Sequence, residues 1–185
     1  MTNIILTTVD LSVSMEDNFT SIGSQLSALK NWLISHPSAA NIKISRLDFD
    51  DRMGNIATRG FVSPIAFRTE ISGRERIKRM TSMYEAIIES KKRLENYLEL
   101  MRISQVPAKG IFLLISDARN TVDSFRLAEA REAVQWMGDA GIDTVLIGYG
   151  GAALRIGAEL GFGRVVDGVG DGSAAGLLGV LGGLV

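Results

Sequence analysis

Apolar strand-like runs alternating with amphipathic helices predict an α/β domain. The expected architecture is a doubly wound, mostly parallel six-stranded sheet with helices on both faces and one antiparallel edge strand. Three observations carry this expectation. Two runs, Asn3 to Val9 and Gly110 to Ser116, are continuously apolar or β-branched, as strands buried on both faces are. The segments between strands show three- and four-residue apolar spacing. Only one pair of strands, within 42–62, is joined by a turn too short for a crossover helix.

Asn3 to Val9 ends in the polar stretch Asp10-Leu11-Ser12-Val13-Ser14. A helix then places Phe19, Ile22, Leu26, Leu29 and Leu33 on one face, and His36-Pro37 stops it, because a residue before proline is pushed out of the α region. Ile42 to Phe49 and about Asn55 to Val62 read as the second and third strands, joined by Asp50-Asp51-Arg52-Met53-Gly54. A helix over about Met83 to Met101 turns Met83, Ile87, Leu94, Leu98 and Met101 inward. After the Gly110 to Ser116 strand, a helix carries Leu127, Ala130, Val134 and Met137 on one face and stops near Gly141. Ile142 to Gly148 is a strand, Ala152 to Leu160 a helix ended by Gly161, and Arg164 to Asp167 a short last strand. A final helix starts near Ser173. Its Leu177, Leu178, Leu181, Leu184 and Val185 share one face, with Gly172, Gly176, Gly179 and Gly183 on another. Such a glycine face suits a close helix–helix contact, within the domain or with a second copy. With 185 residues and no internal repeat or linker, a single domain over 1–185 is expected.

The balance of 46% hydrophobic and 22% charged residues is that of a globular protein. A net charge of −1 gives no general attraction to nucleic acid or anionic membrane, so neither is expected as a partner. Without cysteine there is no disulfide, zinc-thiolate site or thiol nucleophile, and His36 is the only histidine. No secretory signal is read at the N-terminus and no stretch is long enough to span a bilayer, so a cytoplasmic location is expected.

Both central strands end in an aspartate, Asp10 and Asp117. In open α/β sheets ligands bind beyond the carboxyl ends of the strands. If these two strands are neighbours, two carboxylates and the hydroxyls of Ser12 and Ser14 meet at one rim. A set of oxygen ligands suits a hard cation, with Mg²⁺ the natural candidate. The simpler alternative is that the aspartates cap helices and the serines are loop residues.

The string Asp10-x-Ser12-x-Ser14 after a first buried strand resembles the metal-ion-dependent adhesion site of von Willebrand factor type A domains. Thr81, in MTSMYEAI, matches the threonine such domains carry ahead of the helix after strand 3. Asp117, in LLISDARNT, matches their strand-4 aspartate, and GIDTVLIGYG, LRIGAEL and RVVD resemble the remaining elements. Ser82-x-x-Glu85 reads as a capping box, which leaves Thr81 outside the helix. Two positions depart from the family, Met80 and Ala118, where glycine is common.

The resemblance, closest to compact intracellular bacterial members, implies that Asp10, Ser12, Ser14, Thr81 and Asp117 hold Mg²⁺, with Mn²⁺ as a substitute. An acidic residue of a protein partner would complete the coordination, and no reaction would be catalysed.

Other readings fit less of the chain. A phosphohydrolase of the haloacid-dehalogenase type would use Asp10 as nucleophile but needs an acid two residues on, where Ser12 stands. Gly148-Tyr149-Gly150-Gly151-Ala152-Ala153 matches a dinucleotide-binding turn, with Asp167 as the ribose acid, yet only one short strand follows. A serine hydrolase would need His36, which ends the first helix. The basic run Arg74, Arg76, Lys78 and Arg79 reads as a solvated helix entry, or as a surface steering an acidic partner.

Overall fold

The two most apolar runs become adjacent central strands. The computed structural model describes residues 1–50, 58–71, 81–119, 123–168, 178–179 and 181–182, with backbone alone at 58 and 59. Strands β1 (Thr2–Asp10), β2 (Ile42–Phe49), β3 (Thr58–Val62), β4 (Ala108–Ser116), β5 (Asp143–Gly148) and β6 (Arg164–Asp167) form one sheet of order β3-β2-β1-β4-β5-β6. All neighbours are parallel except β2 and β3, where Ile44 opposes Val62 and Arg46 opposes Thr58. The turn expected at 50–54 and the start expected for the third strand lie largely outside the described residues.

Side-chain alternation divides the core. Ile5, Val9, Ile111, Leu113 and Ile115 point to one face, against Ile22, Leu26, Leu29 and Leu33 of α1 (Phe19–Ser35). Ile4, Leu6, Phe112 and Leu114 point to the other, against α2 (Met83–Ile103), α3 (Leu127–Asp139) and α4 (Gly151–Leu160). Each such fully buried side chain contributes roughly 1.5–3 kcal/mol. Because Asp10 is an even position of β1, its side chain falls on the α2 face. A buried pair, Thr8 Oγ1 and Ser90 Oγ at 2.8 Å, locks α2 onto β1.

Helix ends follow local chemistry. α1 stops where His36 turns extended (φ −68°, ψ 138°) before Pro37. Gly141 and Gly161 take the left-handed conformation after α3 and α4, at φ +73° and +81°. A 3-10 turn over Val13–Asn18, not foreseen, leads into α1. Of the final helix, residues 178, 179 and 181 are helical, and Leu181 is fully buried in the α1-side core. At Gly179 an added Cβ would meet no described atom within 4 Å, so no described residue makes the glycine-face contact there. Gly172, Gly176, Leu177, Gly183, Leu184 and Val185 lie outside the described residues. No helix among the described residues is long and apolar enough to cross a membrane.

β2 hides a charge pair that its strand-like pattern did not announce. Arg46 is wholly buried and forks onto Asp48, Nε to Oδ1 at 2.6 Å and Nη2 to Oδ2 at 2.9 Å. Residues i and i+2 of a strand share a face, so the pair closes without distortion. Arg46 Nη1 also donates to the carbonyls of Glu70 (3.0 Å) and Arg68 (3.4 Å), and Lys30 Nζ donates to that of Phe67 (2.7 Å). Together they hold the segment after β3 against α1. Removing one member of a buried pair strands the other charge, which costs about 3–5 kcal/mol. Arg46→Met is therefore expected to destabilise the protein by that amount in urea unfolding, and Arg46→Met with Asp48→Leu to recover most of it.

Candidate metal centre

β1 and β4 run side by side to the same edge, so Asp10 and Asp117 arrive at neighbouring points of the rim. Asp10 is fully buried. Its Oδ1 accepts from the Ser12 amide (2.9 Å) and its Oδ2 from the Ser116 hydroxyl (2.6 Å). Ser12 Oγ and Ser14 Oγ are 3.1 Å apart, with Ser12 buried and Ser14 exposed at the end of the loop. Asp117 is nearly buried. Its Oδ1 accepts from the Arg119 amide (3.0 Å), and the exposed Arg119 guanidinium lies 3.6 Å from Oδ2. Thr81 is buried immediately before α2. The next residue, Ser82, donates its amide to the Asp50 carbonyl (2.7 Å), which ties the head of α2 to the end of β2. Met83 brings its sulfur to 3.9 Å from Ser116 Oγ.

Asp10, Ser12 and Ser14 thus form one hydrogen-bonded loop, and Ser116 links it to the β4 end beside Asp117. Thr81 lies buried just ahead of the α2 head, whose Met83 sulfur reaches Ser116. Ser116 is the residue that reading the sequence missed. Its hydroxyl accepts from the Ala118 amide (3.0 Å) and donates a hydrogen bond to Asp10, which orients that carboxylate. Its signal was a lone hydroxyl ending an apolar run. A second correction concerns the Ser82-x-x-Glu85 capping box. Ser82 makes no side-chain capping bond, and the Glu85 amide is instead bound by Asp123, from the connection after β4.

Burial pushes the Asp10 carboxyl up to about 6, only partly offset by its bonds to Ser116 and Ser12, with nearby Asp117 adding repulsion. Among the described residues no cationic side chain pairs with it. A buried carboxylate without a counter-charge, ringed by hydroxyls and a second carboxylate, fits a hard divalent cation. Among the described residues no three His, Cys, Asp or Glu side chains come together in a group that could hold a metal ion, so a cation here would depend on hydroxyl ligands beside the two carboxylates.

Ala118 adopts φ +58°, a left-handed conformation, at the position where the family commonly has glycine. The strain there is about 1–2 kcal/mol. Against it stand the burial of the methyl group, worth about 0.8 kcal/mol, and the lower chain entropy of alanine than glycine in the unfolded state. These nearly cancel, which explains how alanine persists. Ala118→Gly is expected to change stability by less than about 1 kcal/mol, whereas β-branched Ala118→Val costs clearly more than 2 kcal/mol, as chemical denaturation would show.

The glycine-rich turn after β5 is accounted for by packing. A Cβ on Gly148 would lie 2.2 Å from that of Ala153, and Gly150 sits at φ +103°. Buried Tyr149 fills the space beside it, donating its hydroxyl to Gln25 Oε1 (2.9 Å). His36 lies at the opposite edge of the sheet from Asp10, just before β2 begins, which removes the hydrolase arrangement. Arg74, Arg76, Lys78, Arg79 and Met80 fall outside the described residues.

The raised Asp10 pKa has a sign that can be measured. With the folded value near 6 and the ordinary one at 3.8, neutral Asp10 favours the folded state at low pH, and that contribution is lost as pH rises through 6. The loss is roughly 3 kcal/mol. In EDTA at pH 7.5, Asp10→Asn is therefore expected to melt above wild type, with the gap closing as pH falls towards 4. Equal melting at pH 7.5 would show that Asp10 is not a strained anion.

No protein-family model matches the chain, and no curated protein matches it by sequence. Solved structures match in fold. The PilB minor pilin of Streptococcus sanguinis matches with a TM-score of 0.65 and 12% identity, over 100% of this chain and 61% of its own. Proximal thread matrix protein 1 of the mussel byssus matches with a TM-score of 0.65 and 11% identity, over 98% and 47%. Manganese-loaded Plasmodium vivax TRAP protein matches with a TM-score of 0.58 and 20% identity, over 80% and 57%. The chain thus spans only about half to three-fifths of these proteins, and at such identities the likeness is one of fold.

Proposed function

We propose that the chain is a protein-interaction module of the von Willebrand factor A type. In this reading Asp10, Ser12, Ser14, Thr81 and Asp117 hold Mg²⁺ or Mn²⁺, and a carboxylate of a protein partner takes the open position. The single observation that carries it is the fully buried Asp10 carboxylate, paired with no described cationic side chain and placed by the sheet beside Asp117 and the two loop hydroxyls. Two carboxylates leave a divalent ion with little residual charge, while the hydroxyl ligands are neutral and easily exchanged for an anionic one. An exchangeable coordination position is therefore what an acidic group of a partner would enter. The fold neighbours support the reading at the level of class: a minor pilin, a byssal matrix protein, and a protein crystallised with manganese.

The site is read as binding without turnover. An aspartyl nucleophile at Asp10 would need a proton donor for the leaving group, and the residue two positions on is Ser12, whose hydroxyl sits on Ser14. Bound metal supplies a Lewis-acidic point that polarises and orients a carboxylate. The chain supplies rigidity through Ser116 and the α2 head, and exclusion of water around Asp10.

Thermal melting tests the metal directly. Mn²⁺ at about 100 times its dissociation constant stabilises by about 2.7 kcal/mol, a rise of roughly 5–10 °C for a domain of this size. Asp10→Ala is expected to abolish that rise while remaining folded. The same variant, and wild type in EDTA, should fail to retain partners that wild type holds in Mg²⁺. An equal Mn²⁺ shift in Asp10→Ala, or phosphoester hydrolysis lost in Asp10→Asn, would overturn the reading.

A further inference from the structure

The first turn of α2 is capped from a distant part of the chain. Asp123 Oδ2 accepts from the Glu85 amide at 2.5 Å, the place an N-cap side chain normally serves. Three residues on, the Arg126 guanidinium lies 3.7 Å from the Glu85 carboxylate. Asp123 is buried, and its Oδ1 meets no hydrogen-bond partner among the described residues. A buried carboxylate is a costlier cap than a hydroxyl, and Ser82, at the N-cap position, makes no side-chain capping bond. What Asp123 adds over Ser82 is a tertiary link. It joins the connection that begins at Asp117 to the helix turn that begins just after Thr81. On the other side, the Ser82 amide holds that turn to the Asp50 carbonyl. The head of α2 is therefore braced from both flanks.

On the metal reading above, we infer that Asp123 is a positioning residue for the centre, fixing the spacing between Thr81 and Asp117 and so the size of the cation cage. Cage size has a specific consequence. Mg²⁺ demands near-octahedral ligands at 2.0–2.1 Å, whereas Ca²⁺ tolerates irregular ligands at 2.3–2.6 Å. Loosening the brace penalises Mg²⁺ more than Ca²⁺, which a merely structural role for Asp123 would not do.

The test is calorimetric titration of the full chain with MgCl₂ and with CaCl₂, alongside melting in EDTA. Asp123→Ala is expected to weaken Mg²⁺ binding about 10- to 100-fold, the usual effect of losing a residue that orients ligands, and Ca²⁺ binding distinctly less. Asp123→Ser, which stays polar at the head of its own short helix but is too short to reach Glu85, should show the same ratio change if the alanine variant does not fold. Asp123→Asn keeps an acceptor for the Glu85 amide and should restore most of the Mg²⁺ preference. Unchanged affinities in the alanine or serine variant, or equal losses for both ions, would overturn the positioning role. If wild type binds neither ion, the metal reading itself fails, and Asp10→Ala will then be indistinguishable from wild type in the same titration.

Discussion

The site depends on a carboxylate that the fold takes out of water and that pairs with no described cationic side chain. Asp10 ends the central strand, where both faces of the sheet are covered, and its two hydrogen bonds recover only part of its lost hydration. Desolvation of an unpaired anion is among the larger penalties a small domain carries. In a protein whose total stability is of order 5–15 kcal/mol, a recurring cost of a few is tolerated only where something relieves it. A divalent cation at the rim would relieve it directly, and no described side chain of this chain does so.

The surrounding structure reads as support for that one group. The β1–β4 pairing brings two strand ends to one edge, and Ser116 spans the gap between them. The Ala118 amide holds Ser116 in turn, at the expense of a left-handed alanine. Thr8 and Ser90 set the depth of α2, while Asp50 and Asp123 fix its first turn. Arg46 secures the segment after β3 that runs on towards Thr81. Loops of very different length converge because each is tied at its base to a rigid element, so the geometry does not rest on the loops alone.

Much of this was legible in the residues. Apolar runs and helical spacing place each described β-strand and the helices α1 to α4, though not the 3-10 turns, since burial on one or both faces leaves a direct periodic trace. The convergence of Asp10 and Asp117 also follows, because adjacent parallel strands must end at the same edge. What was hidden was tertiary chemistry. The Arg46–Asp48 pair sits in a strand whose other residues are apolar enough to mask it. Ser82 and Glu85 have the spacing of a capping box, but a carboxylate 38 residues away outcompetes Ser82 for the Glu85 amide. Ser116 gave only the faint signal of a hydroxyl ending an apolar strand. Local pattern records which way a side chain faces; it does not record which distant group will meet it there.

The most direct measurement is a crystal structure of the chain grown with MnCl₂, with anomalous differences collected at the manganese edge. The account predicts one dominant peak at the sheet rim, within bonding distance of oxygens from Asp10, Ser12, Ser14, Thr81 and Asp117 directly or through one water. A well-ordered rim without a peak, or manganese bound elsewhere while Asp10 keeps only its Ser12 and Ser116 bonds, would contradict it.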